Sequence, residues 1–249
     1  MSAIKKENMT QKLIKNIKYR ILMKRYQAGD SLPREEDLAT EFGVSRPVVR
    51  EALAILKSQG YLQARRGAQG GTFVKNLLES NQMATLCKDL VVMEQVSFAE
   101  LGAARLLIEP EAARLAAQNA SSMDLRRLED IVRQPVVQAG DENGFDENFN
   151  FHITIADLSG NPFYGMLIRN LMHVVESFLY LYADTKLYEI DARDHLAIFE
   201  AIRDRNPQEA YERMYVHTST VKSIISKAVH PSGGKSVAPA VYQNLEDGL

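Results

Sequence analysis

The stretch "FGVSRPVVREAL", residues 42–53, decides how the chain is read. It carries three charged side chains, Arg46, Arg50 and Glu51, around an apolar pattern of Val44, Val48, Val49, Ala52 and Leu53. Apolar residues at this spacing form the buried stripe of an amphipathic helix. Ser45 is placed to cap that helix, and Pro47 falls in its first turn, where a missing N–H costs nothing. Arg46 and Arg50 are four residues apart and share one face. They lie near a helix N-terminus, which itself attracts anions. Such a helix buries one side and offers two guanidinium groups to a negatively charged partner.

The flanking segments say what kind of partner. Residues 8–26 have Met9, Leu13, Ile17, Ile21 and Leu22 at helical spacing. Gly29 and Pro33 end that run. A short helix is expected over 34–42, with Leu38, Ala39 and Phe42 apolar, and Gly43 suits a left-handed cap. The helix that follows is expected to reach about Gly60. Then "YLQAR", the glycine-rich tip "RGAQGG" and "TFV" read as a β-hairpin. Helix, helix, turn, helix, hairpin is the order of a winged helix-turn-helix, whose second motif helix puts its first turn into the DNA major groove. Arg46 and Arg50 can fork onto guanine O6/N7 or grip phosphate. Ser45 and the free N–H groups of the helix start favour phosphate. In the wing, Arg65 and Arg66 stand beside a tip where Gly67 permits close approach to a groove.

Charge and composition agree with a two-part chain. Residues 1–76 carry 15 Lys and Arg against 7 Asp and Glu, a net of +8; residues 77–249 carry 15 against 25, a net of −10, giving the chain its −2. The basic third is a candidate for a polyanion, and the acidic remainder for a different partner. With 249 residues, 45% hydrophobic and 25% charged, the chain has the make-up of a soluble globular protein. No apolar run approaches the roughly 18–20 residues of a membrane helix. The charged N-terminus lacks an apolar signal core, and Cys87 is the only cysteine, so a reducing cytoplasm is expected.

From residue 81 onward only helical periodicity appears, over about 81–93, 97–118, 122–138, 142–159, 162–183, 189–204 and 207–228. "SSMD" at 121–124 and "NPQE" at 206–209 are capping signatures, and Pro110 is expected to kink the second of these helices. The expected fold is therefore mainly α. A winged helix-turn-helix (1–76) is followed by a linker (77–80), an all-α bundle of about seven helices (81–229) and a disordered tail (230–249).

In the bundle, polar residues interrupt apolar stripes. Arg105 lies amid Phe98, Leu101, Ile108, Ala112 and Leu115. Asn148 and His152 are four apart among Phe149, Phe151, Ile153 and Ile155. His195 heads a stripe with Ile198, Phe199 and Ile202, and His217 sits between Met214 and Val221. One histidine on an apolar face is ordinarily a satisfied core residue. Three that converge point to a metal ion, which satisfies neutral imidazoles and a side-chain carbonyl together. A buried Arg105 needs an anion. Glu109, one turn on, is the internal candidate, and a bound carboxylate ligand the functional one.

Gly29–Val74 resembles the winged helix-turn-helix of the GntR family of bacterial transcription regulators. The likeness lies in the "LP-x-E-x-x-LA…GVSR-x-x-VREAL…L…G" skeleton. Many relatives have a DNA-contacting arginine directly after the "LP-x-E" glutamate. Here that position is Glu36, and Arg34, two positions earlier, joins the expected DNA-contacting set. The pieces "ARLLIEPEAARLAA", "NFNFHITIADLSGN", "DHLAIFEAI" and "AYERMYVH" resemble the FCD effector domain of the FadR-type branch. The resemblance implies metal ligands at Asn148, His152, His195 and His217, with asparagine where relatives often have aspartate, and an effector-gripping role for Arg105. His173 and His230 match no ligand position.

The expectation is a cytoplasmic, non-enzymatic transcription regulator, in the sense of a repressor. It would bind a pseudo-palindromic double-stranded operator as a homodimer, with a divalent ion (Zn, Ni or Mn) and a small carboxylate effector in its bundle. Two rivals have other logic. In a metal-sensing repressor the ion alone is the signal. A metallohydrolase fused to a DNA-binding head needs a general base, and the sequence has no H-E-x-x-H or comparable acidic partner beside these histidines.

Overall fold

The computed structural model describes residues 8–67, 70–134, 144–182 and 185–229, with side chains for all of these except 144–148, 177–182, 185–189, 191 and 227–229. The expected tail, 230–249, lies outside the described residues. The chain divides into two compact units that meet at Ser80 and Asn81.

The first unit is built from α1 (Met9–Leu22), α2 (Glu35–Phe42), α3 (Arg46–Ser58), β1 (Leu62–Arg65) and β2 (Gly71–Val74). Its core joins Leu13 and Ile17 of α1, Leu38 of α2, Val49, Ala52, Leu53 and Leu56 of α3, and Leu62 and Val74 of the hairpin. The buried stripe of α3 is thus the one its spacing predicts, carried one turn further by Leu56, while Val48 is only half-buried. Gly43 adopts φ +62°, a left-handed conformation that ends α2 and turns the chain into α3. The expected Ser45 cap takes a different form. Ser45 occupies the N-cap position, but its side chain makes no capping hydrogen bond. Buried Thr10 ties α1 to α3 by donating its hydroxyl to Glu51 at 2.8 Å. The wing pairs antiparallel, Leu62 with Val74 through to Arg65 with Gly71.

Residues 77–80, expected as a plain linker, contain a 3-10 turn, Leu77–Glu79. Asn76 caps it, its side-chain oxygen accepting from the Leu78 N–H at 3.2 Å.

The second unit comprises α4 (Gln82–Val92), α5 (Phe98–Asn119), α6 (Ser122–Val132), α7 (Gly144–Leu158), α8 (Pro162–Tyr182), α9 (Thr185–Arg203) and α10 (Pro207–Val229). α6 stops at Val132, short of the expected 138, and α9 starts at Thr185 instead of 189. Capping boxes at Ser97/Glu100 and Ser121/Asp124 start α5 and α6. α5 packs along α10 and also meets α7, α8 and α9. It can do so because Ala112, Ala113, Ala116 and Ala117 line its buried side. At Gly102 a Cβ would come within 2.7 Å of the Lys222 Cγ on α10, so glycine lets that side chain lie across α5. Pro110 is buried inside α5, yet α5 continues as one α-helix through it. α4 has no side-chain cap of its own at Asn81. Instead the buried Asn170 of α8 accepts the Ala84 N–H at 2.8 Å and donates its amide to the Met166 carbonyl at 2.9 Å.

Candidate DNA-contact face and metal centre

In the first unit Arg46 and Arg50 lie on the exposed side of α3, opposite its core stripe. Neither is isolated. Arg50 Nε donates to Glu35 Oε2 at 2.7 Å, and Arg46 Nη1 is 4.0 Å from Glu36 Oε2. Both carboxylates stand in the first turn of α2. Arg34 is exposed at the N-cap position of α2. In the wing the Arg65 guanidinium stacks over Phe73, 4.4 Å from the ring centre. Arg66 is exposed, and Gly67 has φ +105°, which a side chain would resist. The fold therefore presents the expected basic residues on the outside of a winged helix, with two acids between them that the sequence reading did not treat as part of that face.

In the second unit α7, α9 and α10 bring His152, His195 and His217 together, all three buried. Their Nε2 atoms form a triangle with sides of 3.2 Å (His152–His195), 3.3 Å (His195–His217) and 3.4 Å (His152–His217). The imidazole of His195 is stacked on Phe151, with ring centres 4.1 Å apart. Asn148, on α7 one turn before His152, lies outside the residues with described side chains. His173 is exposed, with Nδ1 3.4 Å from Glu176 Oε2, and is not one of the three clustered histidines.

Protonation follows from burial. Burial pushes the His195 imidazole well below its usual value, helped by His217 and His152. Burial likewise pushes His217 down to about 4, against the pull of Asp194. At neutral pH both rings are neutral and each has one bare ring nitrogen.

The triangle cannot be satisfied by hydrogen bonds alone. A hydrogen bond needs one donor and one acceptor, and three mutually contacting nitrogens cannot alternate the two roles. At least one contact must be donor against donor or lone pair against lone pair. Glu109 orients one member: its carboxylate accepts from His152 Nδ1 at 2.6 Å, and with the proton held there a neutral imidazole offers its lone pair at Nε2. A single cation placed among three lone pairs resolves all three contacts. Metal–nitrogen bonds of about 2.0–2.1 Å at angles between octahedral and tetrahedral need N–N separations of about 2.9–3.4 Å, and the observed sides fall in that range. The residues present fit a metal ion.

Carboxylates back this centre. Glu109, buried on α5, is paired with buried Arg105 through Nε and through Nη2 at 3.4 Å. Burial alone would raise the Glu109 carboxyl; Arg105 and His152 outweigh it and hold it well below the usual carboxylate range. Asp194 Oδ2 lies 3.6 Å from His217 Nδ1, beyond hydrogen-bond length, so that buried nitrogen has no hydrogen bond among the described residues. The expectation that no acid stands beside the histidines is corrected here. Glu109 comes from 43 residues before His152, and Asp194 from 23 before His217. Both face Nδ1 atoms, the far side of each ring from the triangle, where a carboxylate orients an imidazole and does not serve a bound water. Of the two readings of Arg105, the geometry displays the internal one, its pairing with Glu109.

A winged helix with an exposed arginine face, joined to a helical bundle with a ligand-type centre, defines a DNA-binding regulator. Comparison with known proteins agrees. Residues 9–74 match the model for "Bacterial regulatory proteins, gntR family", and residues 100–220 match the FCD domain. The chain is 30% identical over 209 residues to the HTH-type transcriptional regulator LutR of Bacillus subtilis, covering 80% of this chain and 92% of that protein. It is 28% identical over 223 residues to the HTH-type transcriptional repressor NanR of Cronobacter sakazakii, covering 87% and 85%. The solved structure of Streptococcus agalactiae GntR matches with a TM-score of 0.66 and 27% identity, covering 86% of this chain and 99% of that one. The chain belongs to the gntR family of bacterial regulatory proteins, with an FCD domain as its second part. It is a transcription regulator and not an enzyme. No helix among the described residues is long and apolar enough to cross a membrane.

Proposed function

We propose that this regulator is a cytoplasmic repressor whose bundle holds a divalent ion and responds to a small carboxylate. It acts as a homodimer on a pseudo-palindromic operator. Arg46 and Arg50 read the major groove, Ser45 and Arg34 contact the backbone, and Arg65, Arg66 and Gly67 bring the wing to the adjacent groove. A single winged helix has a small footprint, and two half-sites need a two-fold partner.

The observation that carries the metal reading is the Nε2 triangle of His152, His195 and His217. Asn148 is the proposed fourth ligand, through its side-chain oxygen. Zn, Ni or Mn is the proposed ion: imidazoles suit Zn and Ni, and the Asn148 carbonyl and an added carboxylate are the ligand types that suit Mn. The ion would supply a Lewis-acidic position for an anionic oxygen. Charge explains the choice of a carboxylate. The three imidazoles are offered as neutral ligands, and Glu109 is already matched by Arg105. The ion's own charge is thus left uncompensated in a buried site, which favours an anion. Arg105, sharing its guanidinium with Glu109, is the proposed second grip on that anion. A ligand that joins α5 to α7, α9 and α10 would favour one arrangement of the bundle, and only such differential binding can shift DNA affinity.

The test is elemental analysis of purified protein paired with calorimetry against hydroxy- and dicarboxylic acids. Bound metal in stoichiometric amount, with acid binding lost in His195→Ala and His217→Ala, is the expected result. Metal-free protein from metal-replete cells, or acid binding that survives both substitutions, would refute the proposal. Metal alone changing DNA affinity would select the metal-sensing rival.

A further inference from the structure

We infer that Glu35 and Glu36 are specificity determinants of the DNA-contact face, working as ion-paired partners of Arg50 and Arg46. This rests on the reading above that the two arginines contact DNA. Glu35 and Glu36 lie in the first turn of α2, and each faces one arginine of α3, at 2.7 Å and 4.0 Å. All four side chains remain open to solvent, at 36% and 62% exposure for the first pair and 56% each for the second. The head carries a net of +8 even with these two acids counted, so carboxylates beside its two best-placed arginines go against the trend of that surface. Favourable interaction with the N-terminus of α2 accounts for acids in that turn. It does not account for their lying against arginines of a different helix.

The consequence follows from what each type of DNA contact offers. An arginine that leaves its carboxylate for a phosphate exchanges one ionic partner for another. It also leaves the carboxylate close to a polyanion, which is repulsive. Sequence-independent binding is therefore weakened. A G·C pair offers something different. Its major-groove edge has guanine O6 and N7 as acceptors for an arginine fork, and the cytosine N4 amino group as a donor to a carboxylate. An Arg–Glu pair matches that edge with both members, so the carboxylate changes from a liability into a contact. The acids penalise the wrong sequence while costing little on the right one, which is how discrimination is built from a repulsive element.

The experiment uses the full chain and duplexes enriched by the wild-type protein from a random-sequence pool, with a scrambled duplex as the non-specific probe. Fluorescence anisotropy at one fixed salt concentration gives both affinities for Glu35→Gln, Glu36→Gln and a control, Glu41→Gln. The control removes the same charge from α2, but at a carboxylate paired with Arg20 of α1 at 2.5 Å. Glu35→Gln and Glu36→Gln are expected to bind the scrambled duplex about 5- to 10-fold tighter and to narrow the ratio between enriched and scrambled duplexes. Glu41→Gln is expected to change the ratio by less than about 2-fold. Equal shifts in all three variants would reduce the effect to net charge and overturn the inference, as would an unchanged ratio in Glu35→Gln and Glu36→Gln. Arg46→Ala and Arg50→Ala on the enriched duplex separate the two levels. If they keep wild-type affinity, the DNA-contact reading itself fails. If they lose affinity while the glutamate variants behave as wild type, only the present inference fails.

Discussion

Replacing Glu109 by alanine should damage both the stability of the bundle and its hold on metal. Glu109 and Arg105 are 2% and 3% exposed, so the substitution strips a buried guanidinium of its partner. Breaking one side of a buried ion pair costs about 3–5 kcal/mol. That is a large part of the roughly 5–15 kcal/mol that holds a domain folded. The same carboxylate accepts from His152 Nδ1, and without it the ring is free to rotate or change tautomer. Loss of such an outer partner lowers metal affinity about 10- to 100-fold. Glu109→Gln separates the two effects, because its amide oxygen can still accept from His152 while the charge that balances Arg105 is gone. Urea unfolding in the presence of a chelator gives the first quantity, and competition with a chromophoric chelator gives the second. The expected order is wild type above Glu109→Gln above Glu109→Ala in both. A Glu109→Ala protein that loses less than about 1 kcal/mol and binds metal like wild type would show that the Arg105–Glu109–His152 chain has no such role.

Other expected outcomes are as direct. Arg46→Ala and Arg50→Ala should each weaken operator binding by about 1–3 kcal/mol at fixed salt, with unchanged far-UV circular dichroism. Operator affinity should fall linearly on a log–log plot against salt, as counterion release requires, and a flat plot would rule out phosphate as the main contact. Gly43→Ala should destabilise the first unit by about 1 kcal/mol in urea unfolding, because an L side chain at φ +62° is strained. Sedimentation at micromolar concentration should give a dimer with and without DNA; a monomer in both would remove the two-fold reading.

What the sequence made legible is what periodicity and local spacing encode. The core stripe of α3, the left-handed Gly43 and the inward placement of His152, His195 and His217 all follow from residues within a few positions of each other. What it hid depends on chain segments far apart. Glu109 was readable as a partner for Arg105, four residues away, but its bond to His152 exists only because α5 packs on α7. Asp194 adjoins His195 in the chain yet faces His217 in space. Glu36 stood out only as a departure from the family pattern. Its pairing with Arg46 needed the angle between α2 and α3. The Ser45 cap failed for a local reason: the spacing was right, but the side chain does not turn back to the α3 amides.

The amide of Asn170 has one more implication. α4 is the first helix of the second unit, and its opening turn has no cap from its own side chain at Asn81. The Ala84 N–H finds its acceptor on α8. An 11-residue helix is marginal by itself in water. The beginning of α4 therefore borrows its stability from a neighbour and loses it on departure. Peeling α4 away would expose an unpaired amide and the side-chain oxygen that had served it at the same instant. The segment following the 3-10 turn is accordingly more like a latch than a hinge: seated with its terminus completed, or released with its first turn frayed.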